Sequence, residues 1–165
     1  MTLETRITSE IGWNWLDSGT STSTRTQGTF QRQLAFSALG NTGVDAIWYL
    51  ENASIPALTT VTHDLNALNQ SIYGTNIPVN FATLCAIYIF NRSATLPLSI
   101  VNTGTAQSVV TTSYLTLLVP PGGFFTLCNP TESWSITTSR NQLQIQNPGS
   151  QAVAYDIFLS GKKAS

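Results

Sequence analysis

With 165 residues the chain can bury one good core and needs no second domain. Only 9% of its residues are charged and the net charge is −1, where an ordinary soluble domain is about 25% charged; without a basic patch, direct nucleic-acid binding is not expected. No apolar run reaches the ~18 residues of a membrane span, and the opening MTLETRITSE lacks the charged-then-apolar pattern of an export leader.

Residues 1–29 stand apart. "EIGWNWLDSG" is a short aromatic segment, and "TSTSTRTQGT" is nearly all Ser and Thr around Arg25. Such a tract buries too little apolar surface to order itself, so 1–29 reads as an arm that orders on assembly and 30–165 as the folded domain. On an extended backbone Trp13 and Trp15 share one face, which makes them, with Arg25, expected interface residues.

"FQRQLAFSAL" and "VDAIWYLEN" flank Gly40-Asn41-Thr42-Gly43, a turn signal that predicts a hairpin. "IPALTTVTHDL" follows as a strand that begins at an edge, because Pro56 has no N–H to donate. In "THDLNALNQSIYG" the i, i+3, i+7 spacing of Leu65, Leu68 and Ile72, behind Thr62 as N-cap, predicts one short helix or helical turn. "NFATLCAIYIFN", "LPLSIVNTG", "SYLTLLVPP", "FFTLCNP", "SWSITT", "NQLQIQN" and "AVAYDIFLSG" then come at close spacing, each ended by turn residues. This pattern predicts an all-β protein, an antiparallel β-sandwich of jelly-roll kind with at most one short helix. "TLCAIYIF" is apolar on both faces, which places it centrally, with its second face covered by a sheet, a segment of chain or a subunit. Pro121-Gly122 fits the centre of a type II turn at a hairpin corner, and Pro120 and Pro121 are further candidate interface residues.

Little in the sequence suggests chemistry. Cys85 and Cys128 lie in apolar runs and are expected as free buried thiols, a disulfide being the alternative if their strands are neighbours. Sequons at Asn52, Asn69 and Asn91 are read as chance. His63 beside Asp64 invites a base-and-orienter reading, but adjacent residues diverge on a strand or helix, so a turn or capping role is expected. The scattered acids form no local pair, one His with two distant Cys makes no zinc site, and Gly122-Gly123 precedes a strand rather than a phosphate-binding helix. The expectation is a non-enzymatic protein without metal or cofactor. Aromatics remain: Trp48, Trp134 and the tyrosines either pack in the core or stack on sugar rings from an exposed face.

The run from Ile87 to Asn91, the Pro-Gly-Gly turn entering an apolar strand at Pro121 to Phe124, Leu143 to Asn147 ("L-x-I-x-N") and Tyr155 to Gly161 ("Y-D-I-x-x-x-G") recur in one protein group. Over residues 61–161 the chain resembles small proteins encoded in the structural regions of tailed phages and prophages. The resemblance implies a capsid-associated virion component, a decoration or capsid subunit made in the host cytoplasm. Its implied partners are itself, as a trimer or higher homo-oligomer, and other virion proteins; it carries over no catalytic residue. The alternative is a carbohydrate- or receptor-binding sandwich.

Overall fold

A computed structural model describes residues 4–18, 23–37, 44–102, 116–129 and 133–164, the first two stretches as backbone. Among them every regular element is a strand, as runs rich in Thr, Val, Ile and aromatics favour. In chain order these are β1 (Glu4–Ser18), β2 (Ser23–Ser37), β3 (Ala46–Ile55), β4 (Thr60–Asp64), β5 (Leu68–Ile72), β6 (Thr75–Val79) and β7 (Phe81–Asn91). There follow β8 (Leu98–Val101), β9 (Leu117–Val119), β10 (Phe124–Cys128), β11 (Trp134–Ser135), β12 (Gln142–Gln146) and β13 (Val153–Lys163).

Two antiparallel sheets form a β-sandwich: β10-β7-β13-β3, with β11 also paired to β7, and β4-β12-β8-β9. Alternation along each strand sends one set of side chains between them. Trp48, Ile87, Ile89, Ile157 and Leu159 of the first sheet meet Leu98, Ile100, Leu143 and Ile145 of the second in one buried cluster. Each such side chain contributes roughly 1.5–3 kcal/mol by leaving water. As its two-sided apolar sequence requires, β7 lies inside its sheet, between β10 and β13.

Three expectations are corrected. No helix forms at 62–72: Thr62 is in β4, and Asp64 caps a tight turn instead, its Oδ1 accepting from Asn66 N at 3.0 Å. Leu65 and Leu68 are both buried, so their spacing reflects a turn rather than a helical stripe. The predicted pairing of "FQRQLAFSAL" with "VDAIWYLEN" is not made, since β2 pairs with β1 and β3 with β13; Gly40 to Gly43 lie outside the described residues. Pro120–Gly123 is a turn, with Gly123 N donating to Pro120 O at 2.9 Å and Gly122 at φ 64°. Yet it is no hairpin corner, because β9 and β10 belong to different sheets. β1 and β2 pair in unbroken register from Glu4↔Ser37 to Ser18↔Ser23.

The sandwich contains an internal duplication. β3-β4-β7-β8 superimposes in connectivity on β9-β10-β12-β13, exchanging the two sheets and keeping their strand order. In both halves a strand ends at a proline, Pro56 or Pro120, and the chain crosses to the other sheet through a residue of positive φ, Leu58 at 55° or Gly122 at 64°. Registers agree as well: Thr60 faces Gln146 and Phe124 faces Phe90, so the fourth residue past each proline meets the residue before an asparagine.

Those asparagines are the clamps of the fold, and both are completely buried. Asn91 Nδ2 donates to the carbonyls of Leu96 (2.8 Å), Val119 (3.2 Å) and Pro120 (3.1 Å), and its Oδ1 accepts from Ser93 N (3.0 Å). Asn147 repeats the arrangement, donating to Gln151 (2.8 Å), Ile55 (3.1 Å) and Pro56 (3.1 Å) and accepting from Gly149 N (2.9 Å). Each clamp ties a crossover turn to the end of the strand it passes, and its buried amide is itself fully hydrogen-bonded there.

Gly161 closes the duplicated body for a steric reason. At its register shift β13 runs so close to β7 that a Cβ on Gly161 would collide with the Thr83 carbonyl. Gly161→Ala is therefore expected to cost about 1–3 kcal/mol in urea unfolding, because backbone, unlike a flexible side chain, cannot step aside.

Candidate functional site

The residues singled out from sequence fall in three places. In the β1–β2 ribbon Trp13 stands opposite Gly28, Trp15 opposite Thr26 and Arg25 opposite Leu16. Pro120 and Pro121 are exposed at the crossover turn. His63 is core: it is 7% exposed, its Nε2 shares a hydrogen bond of 2.9 Å with the Tyr155 hydroxyl, and its ring tilts against Trp48 at 5.0 Å. Asp64 points the other way, exposed and accepting from Asn141 Nδ2 at 2.9 Å, so the two form no dyad.

Burial lowers the His63 pKa to about 4 and raises that of Tyr155 to about 12, which keeps both groups neutral near pH 7. Trp48 is 3% exposed and its Nε1 donates to Asn69 O at 3.0 Å, while Trp134 packs partly buried against the core. The Trp48 indole is therefore closed to a sugar ring. Cys85 and Cys128 are free thiols packed with Val44 and Ile47, and burial raises both pKa values. Such thiols are poor nucleophiles at neutral pH. Among the described residues no group of three or more His, Cys, Asp or Glu could hold a metal ion.

The feature that sequence reading missed lies on the outer face of β10-β7-β13-β3. Register lines up Thr126, Tyr88, Phe158 and Tyr49 in one row across the four strands, and Phe124, Phe90 and Asp156 in the next. Phe124 is 65% exposed and Tyr49 39%, and Tyr88 stacks on Phe124 with centroids 6.0 Å apart at 25°. Five aromatic rings thus share one outward face. The signal was in the sequence as alternation within "AIYIF", where Ile87 and Ile89 point inward and Tyr88 and Phe90 outward.

Charge enters this face at one edge. Tyr49, Tyr88, Phe158, Glu51 and Asp156 line a shallow open depression of about 220 Å³. Asp156 Oδ1 accepts from Arg92 Nε at 2.6 Å and from Asn52 N at 2.7 Å. Burial would raise the Asp156 pKa, but these hydrogen bonds outweigh it and hold the carboxyl below its ordinary value. Asn52, at φ 53°, sits where the β3–β13 register shifts, so the pair also fixes a bulge.

The face can therefore supply flat apolar contact with a small charged rim, and no nucleophile, base and orienter converge on it. In comparisons with protein-family models, curated proteins and solved structures, nothing matches this chain.

Proposed function

We propose that the protein is a structural component of a bacteriophage virion, capsid-associated as a decoration or capsid subunit, and that it works through homo-oligomeric and capsid contacts rather than catalysis. The observation that carries this reading is the aromatic outer face, exposed on a body held rigid by paired buried clamps. Exposed aromatics in a setting poor in charge suit a protein interface.

The strand orders support the same reading. Of the connections joining the eight duplicated strands, only β8–β9 stays within one sheet. Such crossing between sheets is the pattern expected of a jelly roll, an architecture used in capsid shells. The resemblance over residues 61–161 points the same way, and its motif residues Asn91, Asn147 and Gly161 are those on which the fold depends. Mass spectrometry of purified virions from the encoding phage, with immunogold labelling, tests the proposal. The chain is expected in many copies per particle; its absence from particles overturns the reading.

A second reading, glycan binding, is favoured by the depression alone, where Tyr49, Tyr88 and Phe158 could stack on a sugar while Glu51 and Asp156 accept its hydroxyls. A glycan array should then show a ligand that Tyr88→Ala loses with the fold intact. An empty array removes this reading.

A further inference from the structure

We propose that Cys85 and Cys128 are a redox pair that closes into a disulfide when the protein meets a small-molecule disulfide as oxidant, stapling β10 to β7. The inference concerns the folded chain itself and stands apart from the assembly reading above.

An irregularity in β7 brings the two thiols together. Ser160 faces Ala86 and Gly161 faces Leu84, so the β13 register passes over Cys85, which is the extra residue of a bulge. A bulge re-aims the side chain it carries. Leu84 and Ile87 belong to the main core, while Cys85 packs in a separate small cluster with Val44 and Ile47. Ile47, Ser160 and Ala86 form one row across the sheet, and Cys128 on β10 stands opposite Ala86 in that same row. Cys128 packs against the same small cluster, and the ladder runs one step further, Asn129 N donating to Cys85 O at 2.8 Å. The two cysteines are thus diagonal neighbours on adjacent strands, with both side chains on one face. From the strand spacing and the rise per residue their Cα atoms lie roughly 6 Å apart, inside the span that a disulfide bridges.

Access orders the chemistry. Cys85 is 2% exposed and Cys128 half-buried, so an oxidant reaches Cys128 first. The Cys128 thiolate attacks one sulfur of oxidised glutathione, forming a mixed disulfide and expelling one glutathione thiolate. The Cys85 thiolate then attacks Cys128 Sγ, the Sγ–Sγ bond forms and the second glutathione leaves. Both protein thiols are oxidised, the small disulfide is reduced, and the protons end on the released glutathione thiols. Burial raises both cysteine pKa values, so closure is slow at neutral pH and quickens as pH rises. Reducing compartments keep the pair open. The closed bridge ties down β10, an edge strand that carries Phe124 of the aromatic face. It also encloses β8, β9 and β10 in one loop, which removes freedom from the unfolded chain.

Intact-mass spectrometry of the full-length protein, after incubation with oxidised glutathione and alkylation in denaturant, tests this. Reduced wild type takes one alkyl group on each of its 2 cysteines. Oxidised wild type is expected to take none, to weigh less than the unalkylated reduced chain by the hydrogens of both thiols, and to unfold at a higher urea concentration than the reduced form. Dithiothreitol should reverse all of this. Cys85→Ser should stop as the Cys128 glutathione adduct, for want of the resolving thiol, and Cys128→Ser should stay largely unmodified. A wild type that keeps both thiols, stops at the adduct or cross-links two copies instead overturns the proposal, and an unchanged urea midpoint overturns the staple. The wild-type masses decide the matter whether or not a serine variant folds.

Discussion

Replacing Asn147 by alanine is expected to lower the unfolding free energy by about 3–5 kcal/mol, and Asn91→Ala by a similar amount. In each case a fully buried amide that donates to three carbonyls and accepts from one N–H is removed, and of those carbonyls Pro120 O and Pro56 O keep a second donor, Gly123 N and Thr59 Oγ1. A single buried unsatisfied polar group costs about 1–3 kcal/mol, and water can reach some of these groups once the side chain is gone, which sets the range below the simple sum. Aspartate keeps the acceptor but loses the donors and adds a buried charge, so Asn147→Asp should be at least as damaging. Gln146→Ala, one position earlier on the outer face, is expected to stay within about 1 kcal/mol. Urea unfolding of the set checks the account. A mild Asn147→Ala would mean that the clamp does not hold the crossover.

Acidification should destabilise the fold by about 3 kcal/mol through His63 alone. Its pKa is about 4 in the folded chain against 6.5 for the free side chain. Between those values the unfolded chain takes up a proton that the folded chain refuses. Stability from this group is thus fully present above pH 6.5, falls as pH drops, and is exhausted below about pH 4. Asp156, its pKa held low chiefly by Arg92, adds a loss of the same sign further into the acid range. Urea midpoints from about pH 7.5 to about pH 4 should show the decline in the wild type and a flatter profile in His63→Gln, which removes the titrating ring. Parallel profiles in the two proteins would show that His63 is not the group responsible.

Local features of the fold were legible in the sequence and pairings were not. The two-sided apolar run around Ile87 marked β7 as a central strand, and "NQLQIQN" and "AVAYDIFLSG" marked β12 and β13 closely. The Pro121-Gly122 pair also marked a turn, and Gly122 takes the positive φ expected of it. What it could not give was the partner: β3 pairs with β13 across most of the chain, and no turn residue between neighbouring segments carries that information. For the same reason a turn between β9 and β10 looked like a hairpin while it in fact carries the chain from one sheet to the other.

The candidate site was hidden differently. Its aromatics come from four strands, and only the register brings Tyr49, Tyr88 and Phe158 into one row. Trp48 and Trp134 drew attention as the larger rings, yet strand alternation turns Trp48 inward to the core. The internal duplication did leave a trace, since "IYIFN" ending at Asn91 and "LQIQN" ending at Asn147 share a spacing.

The central claim is that this chain acts by assembling, and native mass spectrometry of the full-length wild type over a wide range of concentration tests it most directly. The account predicts a trimer or larger species that grows in with concentration and dissolves on dilution. A monomer at every concentration would contradict it.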